Sequence, residues 1–201
     1  MRHNRGETGI MKWRYLIVYY ILKPLCAVFY PMRFTGRDNI PDGPAILCAN
    51  HSNFIDPVLL ALACGKKHWL HFMAKAELME IPILGRIFKG IGAFGVQRGK
   101  SDITAIRTAM KYLKSGEKIM MFPEGTRVSA DEGTAAKTGA IRLASKLNVP
   151  LIPAYIPRRK RIFRRVRIAI GQPYFAEASG RDDFDVQSNR LMQKIYELRT
   201  D

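Results

Sequence analysis

The sequence predicts an α/β fold with a mostly parallel central sheet flanked by helices. The alternation of elements predicts it, and two further observations fit it. From about residue 44, short apolar strand-like runs alternate with helix-length segments, the pattern of strand–helix–strand units. Three polar clusters, NHSNFID (50–56), QRGK (97–100) and PEGTR (123–127), each follow such a run directly. In open α/β sheets, sites collect at the carboxyl ends of the strands, where separate clusters can converge on one ligand. Finally, 201 residues with 47% hydrophobic and 10% aromatic content fit one folded domain with a substantial core.

The N-terminal segment carries Arg2, Arg5, Lys12 and Arg14 ahead of YLIVYYILKPLCAVFYPM, residues 15–32. A basic start before an apolar run is signal-like, but no small-residue cleavage site follows it. As a membrane span it is short, with Lys23-Pro24 in its middle, where a charge is costly and a proline kinks the helix. The expectation is two short helices broken at Lys23-Pro24. Tyr15, Tyr19, Tyr20 and Tyr30 suit the membrane interface, and the flanking cations suit lipid phosphates. A helix packed on the core is the competing reading. Residues 1–34 are therefore assigned to basic, apolar membrane-anchoring helices and residues 35–201 to the α/β domain.

The strand expectations are AILCAN (45–50), HWLHFMA (68–74), AFGVQ (93–97), KIMMF (118–122), LIPAYI (151–156) and RRVRIAI (164–170). DPVLLALAC (56–64) reads as a helix opened by Asp56 as N-cap with Pro57 at the first helical position. Residues 76–90 read as short helices around Pro82 and Gly85. SDITAIRTAMKYLKSG has a Ser/Asp cap, Gly116 as its stop, and Ile103, Ile106, Met110 and Leu113 on one face. AAKTGAIRLASKL (135–147) and residues 183–199 supply the last two helices.

The 33 Lys and Arg against 17 Asp and Glu give a net charge of +16, which favours a polyanionic partner: nucleic acid, anionic lipid or an acidic carrier protein. Cys26, Cys48 and Cys64 have no C-x-x-C spacing, which argues against a disulfide framework or a zinc site and for a reducing compartment. His68 and His71 in HWLH stand at i, i+3, but no carboxylate or cysteine motif completes a metal site. No metal is expected.

Each strand-end cluster supplies a different chemical part. His51 is the one obvious candidate general base, since imidazole as a side-chain type changes charge near neutrality, and Asp56 can accept a hydrogen bond from one of its ring nitrogens. Arg98 and Arg127 are forked cations suited to a phosphate. Glu124 either orders the site or accepts substrate hydroxyls. The sequence has neither a G-x-S-x-G elbow nor a phosphate-binding loop of the Walker type. A His-Asp pair without an obvious Ser or Cys nucleophile points to a substrate hydroxyl that attacks an activated acyl group directly.

NHSNFID resembles the N-H-x-x-x-x-D block of the 1-acylglycerol-3-phosphate acyltransferases, and FPEGTR (122–127) resembles their second signature. GRDNIPDGPAILCANHSNFIDP, GAFGVQRGKSD, KTGAIRLA and VPLIPAYI fall in the matching order, so the resemblance covers roughly residues 35–175. It implies a fold of the glycerolipid acyltransferase type and acyl transfer from acyl-CoA or an acyl carrier protein to the sn-2 hydroxyl of lysophosphatidic acid. It implies His51 as general base with Asp56 as its orienting partner, and acceptor binding by Arg98, Glu124, Gly125, Thr126, Arg127 and Lys137. It further implies an enzyme without a cofactor, lying on the cytoplasmic face of a membrane and not spanning it.

Gln97 departs from the family, which often has an acidic residue there, so another lysolipid acceptor is the nearest alternative. PRRKRIFRRVR (157–167) is unusually basic, and reads either as a solvated strand edge or as a surface for anionic lipid or an acidic carrier. A nucleic-acid-binding module is the alternative of a different class. It is disfavoured because Phe163 is the one aromatic in that run and no helix-turn-helix pair is evident.

Overall fold

The computed structural model describes residues 3–97, 102–128, 136–178 and 181–199. Its seven-stranded sheet has the order β1-β7-β6-β2-β5-β3-β4. The strands are β1 (Met32–Thr35), β2 (Ala45–Ala49), β3 (Leu70–Lys75), β4 (Phe94–Val96), β5 (Lys118–Met121), β6 (Leu151–Tyr155) and β7 (Val166–Ile170). All neighbouring pairs are parallel except β6 with β7. The mostly parallel sheet read from the sequence is present. Strand β1 was not foreseen; it draws residues 32–34, assigned above to the anchoring helices, into the sheet beside β7.

Seven helices accompany the sheet among the described residues: α1 (His3–Phe29), α2 (Asp56–Cys64), α3 (Ala76–Glu80), α4 (Pro82–Gly90), α5 (Ile103–Lys114), α6 (Gly139–Leu147) and α7 (Arg181–Glu197). The alternation of β2 shows how they layer. Ala45, Leu47 and Ala49 enter a core shared with α1 and α2, whereas Ile46 and Cys48 enter a second core with α5, α6 and α7. Parallel strands buried on both faces read as continuous apolar runs, which is why all five residues of β2 are hydrophobic.

Helix α1 corrects the expected break at Lys23-Pro24. It runs through Pro24 as one helix of 27 residues. Pro24 removes the hydrogen bond to the Tyr20 carbonyl, but both residues are exposed, so water can take that carbonyl. Meanwhile Tyr15 and Tyr19 before the proline and Cys26 after it are all buried on one side, which holds both halves to the same core. The opposite side is apolar yet exposed, with Trp13, Ile17, Ile21, Leu25, Val28 and Phe29 open to solvent. Among the described residues no helix is long and apolar enough to cross a membrane.

Helix α5 begins as expected, with Asp102 accepting from the Ala105 N–H at 2.9 Å. Its inward face differs: Ala105, Ala109 and Leu113 are buried, while Ile103 and Ile106 are exposed. Small alanines let the helix approach the sheet closely, a preference that a hydrophobic count does not capture. His71 is a core residue. Its Nδ1 lies 2.9 Å from the Gly92 carbonyl, its ring stacks on Tyr112, and burial pushes its pKa down to about 4. No group of three potential metal ligands occurs among the described residues.

Candidate active site

The site forms where β2, β5 and β6 end side by side. Strand β2 pairs with β5 on one flank and β6 on the other, both parallel, so their three following loops meet. Asn50 ties β2 to β6: its side chain donates to the Ile156 carbonyl at 2.8 Å and accepts from the Ile156 N–H at 2.9 Å. Val128 N–H donates to the His51 carbonyl at 2.8 Å, tying the β5 loop to the β2 loop.

His51 and Asp56 are brought together. Nδ1 of His51 lies 3.0 Å from Oδ2 of Asp56, and the two side chains are 7% and 0% exposed. The same Oδ2 accepts from the Ser52 and Asn53 N–H groups, each at 2.7 Å. Asp56 was expected to cap its own helix, but it makes no forward cap; Ile55 holds the N-cap position. Its carboxylate instead turns back over residues 51–53, using loop N–H groups to set the His51 ring. The ring stacks on Phe122 with centroids 4.1 Å apart, and its Nε2 carries no hydrogen bond to any described residue.

Two cations that the sequence reading did not place in the site complete it. Lys160 Nζ, fully buried, lies 2.7 Å from Asp56 Oδ1 and 3.0 Å from Ser52 Oγ. Burial pushes the Asp56 carboxyl up, but the His51 contact, the Lys160 cation and the Asn53 N–H outweigh it and hold it below the ordinary carboxylate range. Burial likewise lowers the Lys160 pKa, and Asp56 opposes that shift. Asp56 therefore stays ionised at neutral pH beside the imidazole.

Arg158 does the parallel task for Glu124. Glu124 Oε2 accepts from the His51 N–H at 2.7 Å, and Oε1 accepts from Arg158 Nη2 at 2.7 Å and from the Tyr196 hydroxyl at 2.8 Å. Burial lowers the Arg158 pKa, but the Glu124 carboxylate more than restores it. Burial and Glu124 push the Tyr196 hydroxyl up to about 12. Glu124 has a fully buried side chain with both oxygens engaged by protein donors, so the geometry favours the ordering role over contact with substrate hydroxyls.

The other expected site residues are placed unevenly. Gly125 has φ +68, and a Cβ there would lie 2.5 Å from Lys137 Cε, so the Lys137 side chain lies against this turn. The Lys137 N–H donates to the Pro123 carbonyl at 2.8 Å. Thr126 and Arg127 are exposed beside it. Arg98 lies outside the described residues.

Arg158 and Lys160 had a signal in the sequence. In PRRKR after β6, alternate residues of an irregular, extended stretch face opposite ways, and these two point inward. A run this basic suggests a solvated edge or a docking surface, and nothing in its composition marks the two cations that the fold turns inward.

The family model described as Acyltransferase matches residues 31–157, which hold His51, Asp56 and Glu124. The chain belongs to that acyltransferase family. It is 30% identical over 187 residues to the 1-acyl-sn-glycerol-3-phosphate acyltransferase of Bacillus subtilis, covering 88% of this chain and 92% of that one. It is 36% identical over 159 residues to the enzyme of the same name from Streptococcus pneumoniae, covering 76% of this chain and 58% of that one. The crystal structure of the 1-acyl-sn-glycerophosphate (LPA) acyltransferase PlsC from Thermotoga maritima has the same fold. The TM-score is 0.71 over 100% of this chain and 86% of that one, at 24% identity. This acyltransferase is thus an enzyme whose dyad stands at the carboxyl ends of its central strands.

Proposed function

We propose that this acyltransferase moves a fatty acyl group from an acyl-CoA or acyl-ACP thioester to the sn-2 hydroxyl of lysophosphatidic acid, forming phosphatidic acid. The observation that carries the reading is the buried His51–Asp56 pair, with one ring nitrogen held and the other left free for a substrate proton. The names of the relatives support the acceptor. In this mechanism Nε2 takes the acceptor's hydroxyl proton as its oxygen attacks the thioester carbonyl. The C–O bond forms, the C–S bond breaks, and the proton passes to the departing thiolate, with no acyl-enzyme. Asp56 stabilises the imidazolium, and Lys160 keeps Asp56 ionised. Arg127 and Lys137, with Arg98, bind the acceptor's phosphate.

The exposed apolar side of α1 lies in the membrane interface on the cytoplasmic side, flanked by cations that meet headgroups. Acyl transfer by the reconstituted protein with lysophosphatidic acid and each thioester donor tests the reading. His51→Ala is expected to lower turnover by about 10²–10⁴-fold or more, the range for loss of a general base. Most of the activity surviving in that variant overturns the assignment. Arg127→Ala is expected to raise the acceptor KM far more than the donor KM; the reverse pattern counts against a phosphate role.

A further inference from the structure

The stretch between β6 and β7 has two faces with different partners. Its inward residues Arg158 and Lys160 are bound to Glu124 and Asp56. Its outward residues Arg159, Arg161, Arg164 and Arg165 are exposed, and none forms an ion pair with a described residue. Between them the chain turns, with the Arg164 N–H donating to the Arg161 carbonyl at 3.1 Å. The two residues at the tip of this turn are Ile162 and Phe163, 54% and 66% exposed.

Phe163 has φ +62, a conformation that costs a bulky L residue and that glycine adopts freely. A turn selected only for stability would carry glycine or asparagine there. An aromatic ring kept at a strained, solvent-facing position points to a use for the ring. The same residue is fastened to α1: its N–H donates to the Phe29 carbonyl at 2.7 Å, and the two rings are 5.7 Å apart. Leu25, Val28 and Phe29 are exposed on that end of α1. The apolar tip of the turn is therefore continuous with the apolar side of the helix.

We propose that the 157–165 loop docks on an anionic bilayer, with Ile162 and Phe163 inserted between acyl chains and the four arginines on headgroup phosphates. The proposal rests on the membrane acyltransferase reading above and names a second membrane contact beyond α1. Charge complementarity favours a polyanion. The apolar tip set between arginines selects a bilayer over an acidic carrier protein, because arginine stems can lie along an apolar surface while their heads reach phosphate. Docking would seat the site against the lipid phase, since the inner face of the same loop holds Asp56 and Glu124.

Sedimentation of the full chain with phosphatidylcholine vesicles, with and without added phosphatidylglycerol, tests this. The double variant Arg161→Gln, Arg164→Gln is expected to bind the phosphatidylglycerol vesicles roughly 25-fold more weakly, about fivefold per arginine near a charged surface, with little change on phosphatidylcholine alone. Phe163→Gly is expected to weaken binding to both. Turnover of a short-chain, water-soluble lysophosphatidate is expected to be unchanged in these variants, which separates lost docking from lost folding. Vesicle binding equal to the parent's overturns the proposal. So does unaltered vesicle binding with a raised KM for an acyl carrier protein thioester alone, which would assign the arginines to that protein. Failure of the parent to acylate any lysophosphatidate would sink the functional reading, while vesicle binding would still decide the docking surface.

Discussion

At the residue scale, Asp56 is the hinge of the site because four groups converge on its two oxygens: His51, two loop N–H groups and Lys160. Asp56→Asn keeps the size but loses the charge. With the imidazolium unsupported, kcat is expected to fall by about 10⁴, as in other His-carboxylate sites, with little change in KM; steady-state kinetics check this. Lys160→Met strands a buried carboxylate, and breaking such a pair costs about 3–5 kcal/mol, read by chemical denaturation. The pH dependence follows from the sign of the shift. The native Asp56 pKa is depressed, so its stabilisation is present above the unfolded value of about 4 and is lost as pH falls through the native value. Removing Lys160 weakens that depression, so the acid-unfolding midpoint of Lys160→Met moves to higher pH, as circular dichroism across an acid titration would report.

At the element scale, α1 and the turn after β5 each hold a backbone feature whose removal has a defined direction. Pro24 sits on the exposed side of a helix that both flanking halves fasten to the core. Pro24→Ala restores the missing hydrogen bond and is expected to stabilise the fold by up to about 3 kcal/mol; a thermal melt showing no gain would mean that the helix is bent to suit the proline. Gly125 has the opposite character. A Cβ there meets Lys137 in a left-handed backbone, so Gly125→Ala is expected to cost about 1–2 kcal/mol and to raise the acceptor KM by displacing Lys137. Elements of this size were legible in advance. The segments alternating from residue 44 became strands and helices in the expected order, because local pattern and sheet burial agree there. The continuity of α1 and the four-residue β1 were not legible, since each depends on a distant surface: the buried side of α1 on the core, and β1 on β7.

At the scale of the whole molecule, the charge of +16 and the exposed apolar side of α1 act together. Binding to anionic vesicles is expected to weaken as salt rises and the screening length shrinks below about 10 Å, while binding to neutral vesicles through apolar contacts persists. From residue 44 onward the sequence by itself determined the kinds of elements, their order, the mostly parallel sheet and the His51–Asp56 pair, because these rest on local periodicity and on residues five positions apart. Only the tertiary structure decided that β6 lies beside β2. That adjacency, sealed by Asn50 and Ile156 across 106 positions, delivers Lys160 to Asp56 and Arg158 to Glu124. Strand order is a property of the packed sheet, and two parallel strands give no sign in their own residues of which neighbour each will take.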